Sequence, residues 1–234
     1  MGSAYRSSAS VNYGSRTNTT VSAPSGVTSG DIVLLFFLLG NASPPTPTPP
    51  AGFTILSGFP VTVSQGGFSV KNYCWYKVAG SEPANYTITH SSSSSEAYVV
   101  AVSGGDTGSA PSATTNPNDI PGGHTTTALS ITTSTNNSFV MFVNQDWGDT
   151  ANALSPPTGT TPTFTTRLNE NGTGILFVAD GVLATAGATG NKSISNNNTS
   201  GGSSPWSGYL IEVEAGGAPP PTVTNFLTML GCGS

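Results

Sequence analysis

Thr20-Val21-Ser22-Ala23, Ile32-Val33-Leu34-Leu35-Phe36 and Pro49-Pro50-Ala51-Gly52 return later in the chain as Thr127-Ala128-Leu129-Ser130, Phe139-Val140-Met141-Phe142-Val143 and Pro156-Pro157-Thr158-Gly159. The offset is 107 residues throughout, with no gap (139 − 32 and 156 − 49). A unit this long that repeats once indicates two halves of one domain, because a solenoid needs about three stacked units or more. A second correspondence closes the halves. Tyr98-Val99-Val100-Ala101-Val102 answers Tyr209-Leu210-Ile211-Glu212-Val213 at an offset of 111 (209 − 98), so the second copy carries extra residues in its loops.

The type of the repeated unit follows from its punctuation. Gly (29) and Pro (18) interrupt every window long enough for a helix, while β-branched and aromatic runs recur between Gly, Pro, Asn and Ser clusters. Strands are expected near 18–23, 31–39, 53–58, 60–64, 68–79, 85–90, 96–103, 126–133, 138–145, 162–168, 174–180, 190–195 and 207–214. Neither half has enough strands to shield its own apolar face, so the two sheets stack. The fold class expected is all-β: an antiparallel, jelly-roll-like β-sandwich of two pseudo-repeated halves. The organisation expected is an N-terminal arm (1–17), a sandwich (18–215, halves 18–104 and 126–215), and an apolar C-terminal arm (216–234) behind Pro219-Pro220-Pro221. Residues 104–125 form a turn-rich connector that crosses between the sheets.

Within Ile32 to Leu39 the strand pleat sends Ile32, Leu34, Phe36 and Leu38 one way and Val33, Leu35, Phe37 and Leu39 the other. A sheet with one wet face would alternate with polar residues. Both faces must therefore be covered, by loops such as 43–50 and by another protomer, which gives the expectation of a homo-oligomer, dimer or trimer. In the C-terminal arm Val223, Phe226, Leu227, Met229 and Leu230 are the candidate partner-binding residues, docking on a neighbouring subunit or folding back on their own sandwich.

Six Lys and Arg face eleven Asp and Glu, a net charge of −5, so the surface is made polar by Ser, Thr, Asn and Gly. Nucleic-acid partners are discounted, since phosphate binding depends on clustered cations. The run 32–39 is about half of a membrane-spanning helix, and no membrane insertion is expected. Met1-Gly2-Ser3-Ala4-Tyr5-Arg6 shows neither a secretory signal nor a myristoylation site, since Arg6 stands where Ser or Thr is required. A polar, weakly charged surface without an export signal fits a protein assembled inside a cell and released on lysis; a processed chain or another export route is the alternative.

Chemistry-bearing residues are few. Cys74 and Cys232 are expected as free thiols, Cys74 buried in a strand and Cys232 placed to cross-link chains. His90 and His124 belong to no metal-binding pattern and are expected in solvent; no metal or cofactor is expected. Asp146 and Asp149 flank Trp147, and a carboxylate pair could serve a glycosidase or hold calcium, though Asp and Gly also form ordinary turns. Asp106, Asn118 and Asp119 make a second oxygen-rich stretch without diagnostic spacing. No catalytic residues are assigned. Trp147 and Trp206 are the candidate glycan-binding residues, on loops where an indole can stack on a sugar.

The stretches Ser25-Gly26-Val27-Thr28-Ser29-Gly30-Asp31, Pro49-Pro50-Ala51-Gly52-Phe53-Thr54, Trp75-Tyr76-Lys77-Val78-Ala79-Gly80-Ser81-Glu82-Pro83 and Tyr86-Thr87-Ile88-Thr89 resemble a β-sandwich module of tailed-bacteriophage virion surface proteins and some bacterial surface proteins. The resemblance covers residues 20 to 104 and reaches the second half only through the internal echo. It implies a non-enzymatic place on the virion surface, as a capsid cement or decoration protein or as a fibre adhesin. The partners implied are other copies of the chain, the major capsid protein or other virion proteins, and host surface glycans. It implies no active site.

Overall fold

The computed structural model describes residues 2–65, 67–118, 125–147, 154–157, 161–170, 174–195 and 206–217. Its strands are β1 (Ala4–Ser22), β2 (Ile32–Asn41), β3 (Thr54–Ile55), β4 (Val61–Gln65), β5 (Phe68–Val78), β6 (Asn85–Ser103), β7 (Ser112–Asn118), β8 (Thr125–Ala128), β9 (Thr132–Thr133), β10 (Ser138–Trp147), β11 (Thr165–Asn169), β12 (Gly174–Leu183), β13 (Gly187–Ala188), β14 (Lys192–Ser195) and β15 (Trp206–Val213). The chain is an all-β sandwich, and the described residues contain no helix.

Each sheet is drawn from one half of the chain. The first runs β1-β6-β2-β5-β3, with β4 also on β5, and the second runs β7-β15-β10-β12-β11. In both, the last strand of the half returns to lie between the first strand and the central one. The register carries the sequence echo: Ile32 pairs with Val102 as Phe139 pairs with Val213, and Phe36 pairs with Tyr98 as Val143 pairs with Tyr209. Offsets of 107 on the central strand and 111 on its neighbour are therefore one superposition of two sheets.

Pleating divides the apolar residues into three main clusters. Ile32, Leu34 and Phe36 of β2 meet Phe139, Met141 and Val143 of β10 between the sheets, with Cys74, Tyr98, Val178, Tyr209 and Ile211 around them. Val33, Leu35, Phe37 and Leu39 face the other way, into a second cluster with Val21, Phe53, Tyr73, Trp75, Tyr86 and Ile88. Val140, Phe142, Phe177 and Leu210 face outward from the second sheet into a third, beneath Ala128, Ile131, Leu154, Phe164 and Ile194.

The outer clusters exist because paired ribbons fold over each sheet. β1 and β6 stay paired past the sheet edge to Ser22 and Asn85, with register shifts at Val11/Gly14 and Arg16/Asn18. Extra residues in one strand of a pair bend it and raise its twist. The bend lays Val21, Tyr86 and Ile88 over Phe37 and Trp75. In the second half the β8–β14 ribbon does the same, with Ala128 standing where Val21 stands, 107 residues earlier. Gly208 of β15 is the point of closest approach: a Cβ there would lie 2.7 Å from Thr126 Cγ2 and 3.1 Å from the Ala128 nitrogen.

Several expectations need correction. Residues 4–17 are strand, paired with β6, and not an arm. Residues 112–118 of the connector are likewise strand, paired with β15. These two segments hold the same edge position in the two sheets, and both are rich in Ser, Thr and Asn, so neither shows an apolar alternation. The break placed at 91–95 is absent, because the serine run continues β6. The largest correction concerns β2: residues 32–39 are all 1% exposed or less within the single chain. Its two apolar faces thus give no argument for a neighbouring protomer.

Candidate functional site

The inner face of the sandwich changes chemistry along its length. Toward Ile32 and Phe139 it is wholly apolar, while one step past Phe36 and Val143 it becomes polar. There Asn72 of β5, Gln145 of β10 and Ser207 of β15 meet between the sheets, all fully buried. The Asn72 amide donates to Gln145 Oε1 (3.3 Å) and Ser207 Oγ (3.2 Å), and the Ser207 hydroxyl donates to Gln145 Oε1 (3.0 Å). In a site of low dielectric such bonds hold register more firmly than in water, because a lost partner leaves a buried polar group unsatisfied.

Across the same layer lies Glu96, opposite Leu38 in the register and 0% exposed. Its carboxyl contacts that of Glu170, which follows β11, is 9% exposed and is anchored by donation from its own N–H to the Leu176 carbonyl. Burial pushes Glu96 well above the usual carboxylate range and the neighbouring Glu170 pushes it further, while Arg16 opposes the shift. Arg16 donates to the carbonyls of Ser95 (3.0 Å) and Asn12 (2.7 Å).

The residues singled out from sequence fall into three groups. The backbone brings Asp146, Trp147 and Trp206 to this polar end on adjacent strands: Asp146 pairs with Trp206, Trp147 with Gly174, and Trp206 also with Asn118. Val223, Phe226, Leu227, Met229, Leu230, His124, Asp119, Asp149 and Cys232 lie outside the described residues. The rest have structural surroundings. Cys74 is a free, buried thiol in the inter-sheet core, and burial pushes it up. Asp106 accepts from the Gly108 N–H (2.9 Å) and the Ser109 hydroxyl (2.8 Å), closing a turn.

His90 is a correction, being buried rather than solvated. Its ring lies 5.6 Å from that of Phe37, its Nδ1 is 2.8 Å from the Ser91 carbonyl and its Nε2 is 2.9 Å from Thr19 Oγ1. The Thr19 oxygen is in turn 2.7 Å from the Ser95 hydroxyl. The imidazole thus ties β1 to β6 where their register shifts.

Sequence reading missed Asn72, Glu96, Gln145, Glu170 and Ser207. A signal existed for three of them. Glu96 falls in phase with Tyr98, Val100 and Val102, Asn72 with Cys74, and Gln145 with Val143, so each is a polar residue on the core side of an apolar alternation. Two polar clusters lie elsewhere. Arg167 binds Asp180 through two bonds (2.6 and 3.0 Å) with its guanidinium 3.8 Å from the Tyr5 ring centroid. Glu82 accepts from Lys77 (3.0 Å), Tyr86 (2.6 Å) and the Gly80 N–H (2.9 Å). Burial pushes Glu82 up, but the Tyr86, Gly80 and Lys77 contacts outweigh it and hold the carboxyl low.

Chemically, a pair of carboxyls in direct contact leaves no room for the sugar and water that glycoside hydrolysis places between carboxyls about 5 Å or more apart. Among the described residues no group of three or more His, Cys, Asp and Glu converges as a metal site. No family model matches the chain, and no curated protein or solved structure matches it either.

Proposed function

We propose that this chain is a non-enzymatic structural protein of a tailed-phage particle, a cement or decoration protein that sits on the virion surface and binds the major capsid protein and its own copies. The observation that carries the reading is where the phage-like stretches lie. Phe53, Lys77, Glu82 and Tyr86 form one contact set: the Phe53 and Tyr86 rings are 5.2 Å apart edge to face, the Lys77 ammonium lies 5.6 Å from the Phe53 centroid, and Lys77 and Tyr86 share Glu82. Asp31, from the first stretch, accepts from Arg6 (2.6 and 2.9 Å) and from the Thr28 N–H (2.9 Å). The resemblance is therefore carried by residues that close the outer face of one sheet, as expected of a module selected for a rigid body rather than for catalysis.

With β2 sealed inside one chain, association with the particle is assigned to the 219–234 segment, whose Val223, Phe226, Leu227, Met229 and Leu230 supply the apolar contact. Deleting 219–234 is expected to leave a folded, soluble sandwich that no longer joins particles in a reconstitution assay. Unchanged incorporation would remove the clamp from the account.

A second reading, a glycan-binding adhesin, is favoured by the placement of Trp147 and Trp206 on adjacent strands at one end of the second sheet. Glycan-array binding that disappears in Trp147→Ala would support it. An intact chain that binds none of a panel of bacterial surface polysaccharides would count against it.

A further inference from the structure

We infer that the buried Glu96 carboxyl, meeting Glu170 across the inter-sheet layer, forms a pH-sensitive latch joining the two sheets at the polar end of the sandwich. Glu96 belongs to the first sheet and Glu170 follows an edge strand of the second, so whatever binds one to the other binds the halves. Among the described residues neither oxygen of Glu96 has a hydrogen-bond donor in reach, and Glu170 Oε1 has none. Two ionised carboxylates are acceptors only, so their contact is repulsive unless one retains its proton. A single proton turns the same contact into a charge-assisted O–H···O bond, the strongest kind available to a buried carboxyl.

The surroundings set the sign. The charged groups acting on Glu96 are Glu170 from the second sheet and Arg16 from β1. Arg16 supplies positive potential, but its two terminal nitrogens are engaged by the Ser95 and Asn12 carbonyls. β2 presents Leu38 here, and β5 presents Val70, Phe68 and the uncharged amide of Asn72, with Tyr13 of β1 against Leu38 and Val70. Walls without a charge and a carboxyl neighbour favour the protonated form. The carboxyl of Glu96 thus loses its proton at higher pH in the folded chain than in the unfolded one. The stabilisation from the latch is accordingly complete below the ordinary glutamate pKa, about 4.3, and is lost as pH rises through the raised value. On loss of the Glu96 proton to solvent, a buried negative charge is left beside a second carboxyl, and the sheets part at this end first.

The test is a side-chain carboxyl carbon NMR titration of the full chain, with Glu96→Gln and Glu170→Gln to assign the signals, joined to urea unfolding across the same pH range. Assignment matters because burial also raises Glu212. The expected result is a Glu96 midpoint above the ordinary glutamate range that falls back in Glu170→Gln, whose amide donates without needing a proton. The slope of stability against pH is expected to be shallower in Glu96→Gln than in the native chain. A Glu96 midpoint at or below the ordinary range, or parallel stability curves for the native chain and Glu96→Gln, would overturn the latch. Should Glu96→Gln fail to fold, the native spectrum and Glu170→Gln still decide the matter.

Discussion

Phe36 and Phe37 are neighbours on one strand that point into different clusters, and truncating each in turn measures the two faces of β2 separately. Phe36 lies 6.2 Å from Phe59 and 5.6 Å from Tyr209 between the sheets; Phe37 lies 5.9 Å from Trp75, 6.4 Å from Tyr73 and 5.6 Å from His90 beneath the folded-over ribbon. Both are 0% exposed. Removing a buried phenylalanine to alanine costs about 3–5 kcal/mol. Phe36→Ala and Phe37→Ala should each lose that much. For a domain of this size about 1 kcal/mol shifts Tm by about 2–4 °C, so each variant should melt about 6–20 °C lower. The assay is urea unfolding at low protein concentration, with calorimetry as a second probe. A loss below about 1 kcal/mol in Phe37→Ala beside a full loss in Phe36→Ala would refute the reasoning, since it would mean that the outer face of the first sheet is not covered in the isolated chain.

Gly208→Ala should cost about 1–3 kcal/mol, the usual range for overpacking, because the added methyl meets Thr126 and the Ala128 backbone; calorimetry showing an unchanged Tm would mean the β8–β14 ribbon does not press on β15. Arg167→Ala should cost about 1.5–3 kcal/mol at neutral pH, the range for hydrogen bonds to a charged partner, because it strands the buried Asp180 carboxylate. Burial raises Asp180 and Arg167 only partly offsets it, so the loss in Arg167→Ala should shrink as acid protonates the carboxyl; an equal loss at pH 3 and pH 7 in urea titrations would contradict the pairing.

Legibility in the sequence followed the contrast between apolar runs and their polar flanks. β2 and β10 could be aligned residue for residue because each carries an unbroken apolar run bounded by polar residues. The edge strands β1 and β7 could not, since Ser7, Ser8 and Ser10, like Thr114, Thr115 and Asn116, satisfy a half-wet edge without any contrast between the faces. Pro117 in β7 reads as a break, yet an edge strand tolerates a missing N–H.

The inference of a neighbour from the apolar run 32–39 failed for a related reason. Two apolar faces require cover, and that cover comes from the same chain, because β1 and β6, each 19 residues long, continue past the sheet and fold back over it. The candidate site was hidden differently. Glu96 and Glu170 are 74 residues apart (170 − 96) and meet only when the halves are stacked, so no local pattern joins them, although the phase of Glu96 in its strand marked it as a carboxyl on the wrong side.

The central claim is that two equivalent halves close over each other and over their own outer faces within one chain. Amide hydrogen exchange along β2 and β10, followed over a hundredfold dilution of the protein, tests it most directly. Protection at Leu34 to Phe37 and Met141 to Val143 that reaches the global unfolding limit and does not change with concentration is the expected result. Protection that decays on dilution would contradict the claim, because the cover over those strands would then come from a second copy.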